Sequence, residues 1–387
     1  MDSQPYCFVL GRTPELAFLE LKTLFPTIVR KTQDIALLSG APHFSASAVM
    51  DLLGGTTKIA RIVAHAASLA PDDFASILAT NAQNFDFGVS FYGVEGVPHS
   101  FSSEVKKSLE ARGIRARYVS PQHGSSLSTV SVDKSHITEL VVVQDSEGFL
   151  IGETVAIQPY EAWNTRDYGR PFSDPKAGML PPKVARMIVN IARDMEYDDW
   201  EPKGKTLLDP FCGMGTVLAE GYMTGWRVMG SDSSAEAVTK AQKNLAWLIS
   251  TNPGVGGGGG SISVADAAHV SERILPERVD AIVTEPFMGA TSIVNHPQVK
   301  PEAVKNIIKG LEKLYIGCLR EWAKILIPKG LVILALPSYT VLGRTYFVKK
   351  VVDMCENLGY TIVVGPIEYS RPQAVVKREF YILKKKQ

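Results

Sequence analysis

The chain has 387 residues, 45% of them hydrophobic and 21% charged, with a formal net charge of +1. These values predict a globular protein of several domains and exclude a uniformly basic nucleic-acid binder, so any basic surface must be local. No apolar run approaches the roughly 18 residues of a membrane span, the start lacks a secretion-signal pattern, and the four cysteines lack zinc or disulfide spacing. We therefore expect a cytoplasmic protein with no metal site.

The first part of the chain alternates between short strands and helices. A strand at Tyr6–Leu10 and a helix opened by Thr13 and Pro14 are followed by extended residues 28–38, helical residues 46–53 and extended residues 58–67. This pattern predicts a small α+β module of ferredoxin-like type over residues 1–70.

A second α+β module is predicted over residues 71–158. It has a strand at 87–92, a helix at 101–112, a strand at 114–119 and a hairpin within 140–151. Charge patterning alone favours a solvated face for its basic residues, whereas an RNA-binding module would use them to contact phosphates. These candidate RNA-binding residues are Lys106, Lys107, Arg112, Arg115 and Arg117.

Residues 159–182 are rich in proline and polar turn formers, which predicts a linker. Over 183–387, strands at 206–208, 227–231, 261–264, 281–284 and 331–336 alternate with helices, which predicts a mostly parallel sheet covered on both faces. Strands at 360–364 and 379–383 predict an antiparallel edge hairpin. Glycines 256–260 are expected to form a flexible loop, and lysines 384–386 a frayed tail.

The strongest chemical signal is the run 207–216, in which a short apolar strand breaks into a glycine loop that opens a helix. Gly213 and Gly215 let the backbone approach a ligand closely. A dinucleotide fingerprint would need a third glycine where Leu218 stands. Asp209, ahead of the loop, also suits a cationic sulfonium better than a pyrophosphate. S-adenosylmethionine is therefore favoured over a nicotinamide cofactor.

Acidic residues follow the next two predicted strands. Asp232 is placed where a carboxylate can accept hydrogen bonds from the hydroxyls of a ribose, and Asp266 where it can contact an adenine edge. Ser233 and Glu236 have the spacing of a helix capping box. The acids are therefore predicted to line one crevice.

The motif D-P-F-C-G-x-G-T resembles that of amino-methyltransferases acting on RNA and DNA bases, above all the tRNA guanine-N2 methyltransferase family specific for position 10 of tRNA. Residues 170–175 and 178–186 are similar to that family's segment before the cofactor strand, which encloses the methionine end of the cofactor. Residues 10–16 are similar to its opening, and residues 74–157 look like a THUMP domain. The resemblance and the loop together imply a cofactor set of Asp209, Pro210, Phe211, Cys212, Gly213, Gly215, Thr216, Asp232, Ser233, Asp266, Ala267, Gly178, Met179 and Leu180.

In that family the fourth strand ends in Asp or Asn, Pro, Pro and an aromatic residue, whereas here it leads into Glu285, Pro286 and Phe287. An exocyclic amine is a poor nucleophile, and oxygen atoms that accept its hydrogens favour a more reactive nitrogen. We expect the Glu285 carboxylate and the Pro286 carbonyl to accept these hydrogens, and Phe287 to stack on a flipped base. Alternatively, Glu285 only caps the loop and Phe287 fills core.

The resemblance implies a Rossmann-like class I S-adenosylmethionine-dependent methyltransferase with a seven-stranded, mostly parallel sheet. The implied reaction is methyl transfer to the N2 amine of a guanosine in tRNA, and some relatives need a small activating subunit. Two alternatives stay open at this stage. One is an amino-methyltransferase for another nucleobase or a glutamine side chain, and the other is a non-catalytic RNA-binding protein that retains the cofactor pocket.

Overall fold

The computed structural model describes residues 4–40, 44–80, 84–173, 179–193, 202, 204–274, 278–290, 294, 299–370 and 376–387. The chain divides into two compact units, Met1–Trp163 and Asn164–Gln387. The division falls inside the predicted linker, which contains a helix that the proline content did not suggest. Within the described ranges no helix is both long and apolar enough to cross a membrane.

The first unit is built on a mixed sheet with helices. Its strands are β1 (Tyr6–Leu10), β2 (Val29–Arg30), β3 (Ile35–Leu38), β4 (Thr56–Ala66), β5 (Asn84–Tyr92), β6 (Arg115–Tyr118), β7 (Thr138–Asp145) and β8 (Gly148–Ile157). Its helices are α1 (Pro14–Leu24), α2 (Ala46–Leu52), α3 (Pro71–Leu78), α4 (Phe101–Ala111) and α5 (Thr129–Lys134), with α6 (Tyr160–Tyr168) at the division between the units.

One sheet contains the strands of both predicted amino-terminal modules, in the order β2-β3-β1-β4-β8-β7-β5-β6. A buried ion pair also joins them, because Lys58 of β4 contacts Glu139 of β7 and both side chains are almost fully buried. Thr154 Oγ1 donates to Glu139 Oε2 over 2.7 Å, and Lys58 Nζ donates to the Leu127 carbonyl over 2.7 Å. Buried charges persist when they are paired in this way. The division at residue 70 stays a prediction.

The second unit has the elements of an α/β domain. Its helices are α7 (Pro182–Ile191), α8 (Thr216–Met223), α9 (Ala235–Thr251), α10 (Pro301–Ile325) and α11 (Lys349–Met354). Its strands are β9 (Thr206–Asp209), β10 (Arg227–Asp232), β11 (Gly260–Val264), β12 (Val279–Thr284), β13 (Leu326–Val341), β14 (Arg344–Phe347), β15 (Tyr360–Tyr369) and β16 (Val376–Lys385).

The sheet of the second unit has the order β11-β10-β9-β12-β13-β16-β15, with β14 paired to the extended end of β13. Neighbouring strands from β11 to β13 are parallel, and β16 is antiparallel to both β13 and β15. The predicted parallel sheet and late antiparallel hairpin are therefore confirmed. The strand order reverses between β9 and β12, and ligands of such sheets bind beside the carboxyl ends of the strands at this point.

Three local predictions in this unit are corrected. Lys385 belongs to β16, and its Nζ donates to the Leu326 carbonyl over 2.6 Å, so the terminal lysines are not a frayed tail. The cap of α9 is Ser234 rather than Ser233, since the Ser234 hydroxyl accepts from the Ala237 N–H. The predicted flexible loop of glycines 256–260 does not include its last residue, because Gly260 is the first residue of β11.

Candidate functional site

The glycine loop after β9 is held by the acid that follows β10. Asp232 Oδ2 accepts a hydrogen bond from Gly213 N over 3.0 Å, and Oδ1 accepts one from Ser234 N over 2.9 Å. Each carboxylate oxygen has a second lone pair, so these bonds leave acceptor capacity for hydroxyl groups. The structure therefore gives Asp232 a role in shaping the loop, and its predicted contact with a ribose stays a prediction.

The two glycines of the loop serve different purposes. Both have positive φ angles, +49° at Gly213 and +82° at Gly215. A Cβ added to Gly213 would enter open space, so its absence leaves room in front of the loop, as a ligand requires. A Cβ at Gly215 would instead approach Ala241 of α9 to 3.3 Å. Gly215 is therefore needed for the turn and for helix packing, and its predicted contact with the cofactor stays a prediction.

Asp209 is a buried acid at the end of β9 whose pKa is strongly raised. Its side chain is buried, and Oδ1 accepts hydrogen bonds from Thr284 Oγ1 over 2.7 Å and from Phe211 N over 3.1 Å. Burial raises the pKa of Asp209 to about 7, and the negative charges of Asp232 and Glu285 act in the same direction. The negative charges of Asp232 and Glu285 therefore act on Asp209. That Asp209, Asp232 and Asp266 line one crevice stays a prediction.

The segment before α7 contacts the first turn of α8. Arg170 Nη1 donates to Thr216 Oγ1 over 2.8 Å, and Met179 Sδ lies 3.9 Å from the same guanidinium. Asn244 of α9 bonds both the N–H and the carbonyl of Phe172, each over 2.9 Å. These contacts support the predicted role of the segment in enclosing the pocket. Leu180 is buried, whereas Gly178 lies outside the described residues.

Trp322 of α10 supports the other wall of the crevice. Its indole Nε1 donates to the Ala267 carbonyl over 3.1 Å, and its ring meets that of Phe211 edge to face at 6.4 Å. Asp266 is exposed, and its Oδ1 accepts from Ala268 N over 2.9 Å. Sequence analysis selected Phe211, Asp266 and Ala267 but missed the tryptophan, which lies more than fifty residues further along the chain.

Glu285 is held by an arginine from a distant strand. Arg378 of β16 donates its Nε to Glu285 Oε1, and the guanidinium lies 5.8 Å from the centre of the Tyr369 ring. The Glu285 and Arg378 side chains are 18% and 10% exposed, so solvent reaches the pair only in part. A charge-assisted hydrogen bond of this kind fixes the direction of the carboxylate. Glu285 therefore does more than cap its own loop.

The loop after β12 is supported from below by two buried tyrosines. The Tyr315 hydroxyl donates to the Phe287 carbonyl over 2.6 Å, and the Tyr339 hydroxyl donates to the Met288 carbonyl. Gly289 has a φ of +80°, and a Cβ there would lie 2.8 Å from the Tyr339 oxygen. The Phe287 residue itself is 58% exposed, so the alternative in which it fills core is wrong.

The glycine loop also contains a cysteine. Cys212 is buried, and burial raises its pKa, so the thiol stays protonated at neutral pH. Within the described ranges no cluster of three or more His, Cys, Asp or Glu side chains could hold a metal ion.

These features fit a bound S-adenosylmethionine. Open space in front of Gly213 provides room at the loop, and the buried carboxylate of Asp209 offers a counter-charge for a cation. Asp232 stands at the carboxyl end of the neighbouring strand. The fold and the site together have the features of a Rossmann-like methyltransferase domain with room for S-adenosylmethionine.

Comparisons with known proteins agree with this class. Residues 169–300 match the family described as "RMKL-like, methyltransferase domain". The chain is 28% identical over 214 residues to the tRNA (guanine(10)-N2)-dimethyltransferase of Pyrococcus abyssi, covering 55% of this chain and 52% of the relative. It is 27% identical over 228 residues to the corresponding enzyme of Methanothermobacter thermautotrophicus, and the match covers 58% of this chain and 59% of the relative. The predicted resemblance to this family is confirmed, whereas the THUMP domain expected over residues 74–157 stays a prediction. The chain spans little more than half the length of these relatives.

Two solved structures share the fold over nearly the whole chain. TrmN from Thermus thermophilus superposes with a TM-score of 0.56 at 18% identity, covering 98% of this chain and 99% of that one. A possible methylase from Clostridium difficile 630 superposes with a TM-score of 0.52 at 12% identity, covering 98% of each. At these identities the likeness concerns the fold alone.

The predicted RNA-binding residues of the first unit differ in whether a carboxylate pairs with them. Lys106 lies 3.5 Å from Glu110, Arg112 lies 3.8 Å from Asp72, and Arg117 is paired with Asp86. The two others, Lys107 and Arg115, are exposed and have no carboxylate partner within the part of the chain that the structure describes. As predicted, Arg115 and Arg117 share the exposed face of the edge strand β6.

Proposed function

We propose that this protein transfers a methyl group from S-adenosylmethionine to the exocyclic N2 amine of a guanosine in tRNA, at position 10, in the cytoplasm. The observation that carries the proposal is the loop after β12, where an oriented Glu285 carboxylate stands beside an exposed Phe287 ring. The dimethyltransferase relatives supply the substrate class.

The chemistry assigns a task to each of the loop residues. S-adenosylmethionine, when bound, supplies an electrophilic methyl group on a sulfonium. The Glu285 carboxylate accepts an N–H of the guanine amine, and the Pro286 carbonyl accepts the other. The Phe287 ring stacks on the base, which is turned out of its own stack. The nitrogen–carbon bond forms as the carbon–sulfur bond breaks, and the amine proton leaves towards the Glu285 carboxylate or water. Rate arises chiefly from positioning.

The RNA-docking role belongs to the first unit in this proposal. Residues 71–158 act as a THUMP-like module, and Lys107 and Arg115 are the residues best placed to contact phosphates because neither is paired. The three partly neutralised cations contribute less.

The deciding experiment incubates the purified chain with isotopically labelled cofactor and unmodified tRNA, then digests the RNA and identifies the methylated nucleoside and its position. We expect N2-methylated guanosine at position 10, with a rate that falls about 10²- to 10⁴-fold in Glu285→Ala. Glu302→Ala is the matched control, since Glu302 is 77% exposed and lies outside the crevice.

Other outcomes of this experiment would favour one of the alternatives or reveal a need for an activating subunit. A methylated adenine or cytosine would favour another nucleobase as the substrate, and labelled methyl groups that appear in added protein but not in the RNA would favour a glutamine side chain. Binding of the cofactor without turnover on any tRNA would favour a non-catalytic RNA-binding protein. Turnover that appears only when a small second protein is added would establish the activating subunit that the resemblance allows.

A further inference from the structure

A basic cleft lies on the outer surface of the second unit, between α10 and α11. It has a volume of about 500 Å³. Four cationic side chains, one acid and apolar groups line it. The lining includes Lys309, Glu312, Lys313, Arg320, Lys350 and Met354. All four cationic residues are exposed. None of them was selected from the sequence.

The cations of this cleft differ from the other lysines of the same two helices. Lys305 lies 3.3 Å from Glu302, Lys324 lies 2.5 Å from Glu321, and Lys349 lies 2.8 Å from Asp353. Across the described part of the chain, by contrast, no carboxylate lies within ion-pair distance of Lys309, Lys313, Arg320 or Lys350. The cleft therefore concentrates positive charge that the protein itself does not neutralise.

The acid of the cleft does not cancel this charge. Glu312 Oε1 accepts a hydrogen bond from the backbone N–H of Lys350 over 3.1 Å, which ties α10 to the first turn of α11. Its carboxylate serves the packing of the two helices. Four cations against one carboxylate leave a surplus of positive charge at a concave surface, where field lines are focused and anions accumulate.

The helix α10, which lines the cleft, also contacts the loop after β12 that carries Glu285 and Phe287. Tyr315 and Leu311 face that loop, since the Tyr315 hydroxyl bonds the Phe287 carbonyl and Leu311 lies next to Gly289. Lys309 and Lys313 lie two residues away from these along α10, which at 100° per residue puts them on the opposite side of the helix. One helix thus supports the reacting loop with one side and presents unpaired cations with the other.

We propose that this cleft binds the phosphodiester backbone of the RNA substrate, as a second docking surface in addition to the one proposed for the first unit. Lysine and arginine side chains spaced along a helix contact successive phosphates without reading sequence. The inference rests on the proposed function, because it concerns the same RNA. It adds a contact surface within the methyltransferase unit that would hold the RNA near the loop carrying Glu285.

The test compares two matched triple variants. One neutralises the cleft, with Lys309→Gln, Lys313→Gln and Lys350→Gln, and the other neutralises the paired lysines of the same helices, with Lys305→Gln, Lys324→Gln and Lys349→Gln. Fluorescence anisotropy measures the affinity of each for unmodified tRNA across a range of salt concentrations. Cofactor affinity by calorimetry and the melting temperature confirm that both variants are folded.

We expect the cleft variant to lose roughly tenfold or more in RNA affinity, and the slope of log K against log salt to become shallower by about 2 to 3. The RNA affinity of the control variant should stay within about threefold of the wild type, and its salt slope within about one unit. The cleft variant should keep its kcat at saturating tRNA, and its KM for tRNA should rise.

Equal losses in the two variants would overturn the proposal, because they would reflect net charge alone. Unchanged RNA affinity in the cleft variant would also overturn it and would leave an acidic protein as the class of partner for this surface. The binding measurement needs no methyl transfer. A protein that binds tRNA through the cleft but methylates none would therefore refute the proposed function and leave the cleft assignment standing.

Discussion

Asp209 should make cofactor affinity depend on pH. Its pKa of about 7 means that roughly nine tenths of the carboxyl groups are protonated at pH 6 and about one tenth at pH 8. If the carboxylate is the counter-charge for the cationic end of S-adenosylmethionine, only the ionised form binds well. The affinity should then rise about tenfold between pH 6 and pH 8, or about 1.4 kcal/mol.

Isothermal titration calorimetry of the wild type and of Asp209→Asn measures this effect. The amide keeps the shape of the side chain and an oxygen that can accept from Thr284, but it does not titrate. The variant should bind more weakly at pH 8 and lack the tenfold rise. Any titration of the cofactor's own amine affects both proteins equally. Parallel pH curves would refute the assignment of Asp209 as the counter-charge.

The same residue predicts a stability effect with a definite sign. The pKa of Asp209 is raised from 3.8 to about 7 on folding, so the native state holds a proton that the unfolded state releases. Its contribution to stability is present below about pH 4 and is lost as the pH rises through about 7, with an upper limit of about 4 kcal/mol. Asp209→Asn should therefore raise the melting temperature of the cofactor-free protein more at pH 8 than at pH 5.

Further predictions concern contacts within each unit. Arg378→Gln should lower kcat by about 10²-fold while cofactor affinity is kept, because the Glu285 carboxylate loses its orientation; partial rescue by Arg378→Lys is expected, and an unchanged kcat would contradict this positioning role. Tyr339→Phe should lower the free energy of unfolding in urea by about 1 to 3 kcal/mol, because it leaves the Met288 carbonyl without its donor. Glu139→Gln should cost about 3 to 5 kcal/mol, since Lys58 stays buried without a counter-charge, and hydrogen exchange should show faster opening of β4 and β7 if this is correct.

The strands and the glycine loop could be predicted because their signals are local. Short apolar runs bounded by turn residues gave β9, β10, β11 and β12 within two residues of their observed bounds. Positive φ angles at Gly213 and Gly215 agree with the turn that the motif predicted. The parallel order followed from the alternation with helices. The helix α6 was missed because its flanking prolines resemble those of a linker.

The supports of the site could not be predicted, because they come from distant positions. Arg378 stands 93 residues after Glu285, and the two meet only once β16 is placed antiparallel to β13. Asn244 stands 72 residues after Phe172, and Tyr339 stands 51 after Met288. No periodicity marks such partners, since each depends on the register of strands or the packing of a helix. The arginine that pairs with Glu285 is therefore visible only in three dimensions.

Charge patterning along the sequence could not show which basic residues are paired, for a related reason. The basic stretch of the first unit stood out because acids are scarce there in sequence, yet Arg117 and Arg112 find carboxylates on other elements. Along α10 acids and lysines are interspersed, which is typical of a solvated helix face. However, Glu302 and Glu321 pair with Lys305 and Lys324. Lys309 and Lys313 instead line the cleft. The charge available to a polyanion depends on which cations remain unpaired after folding, and a count along the chain does not measure that quantity.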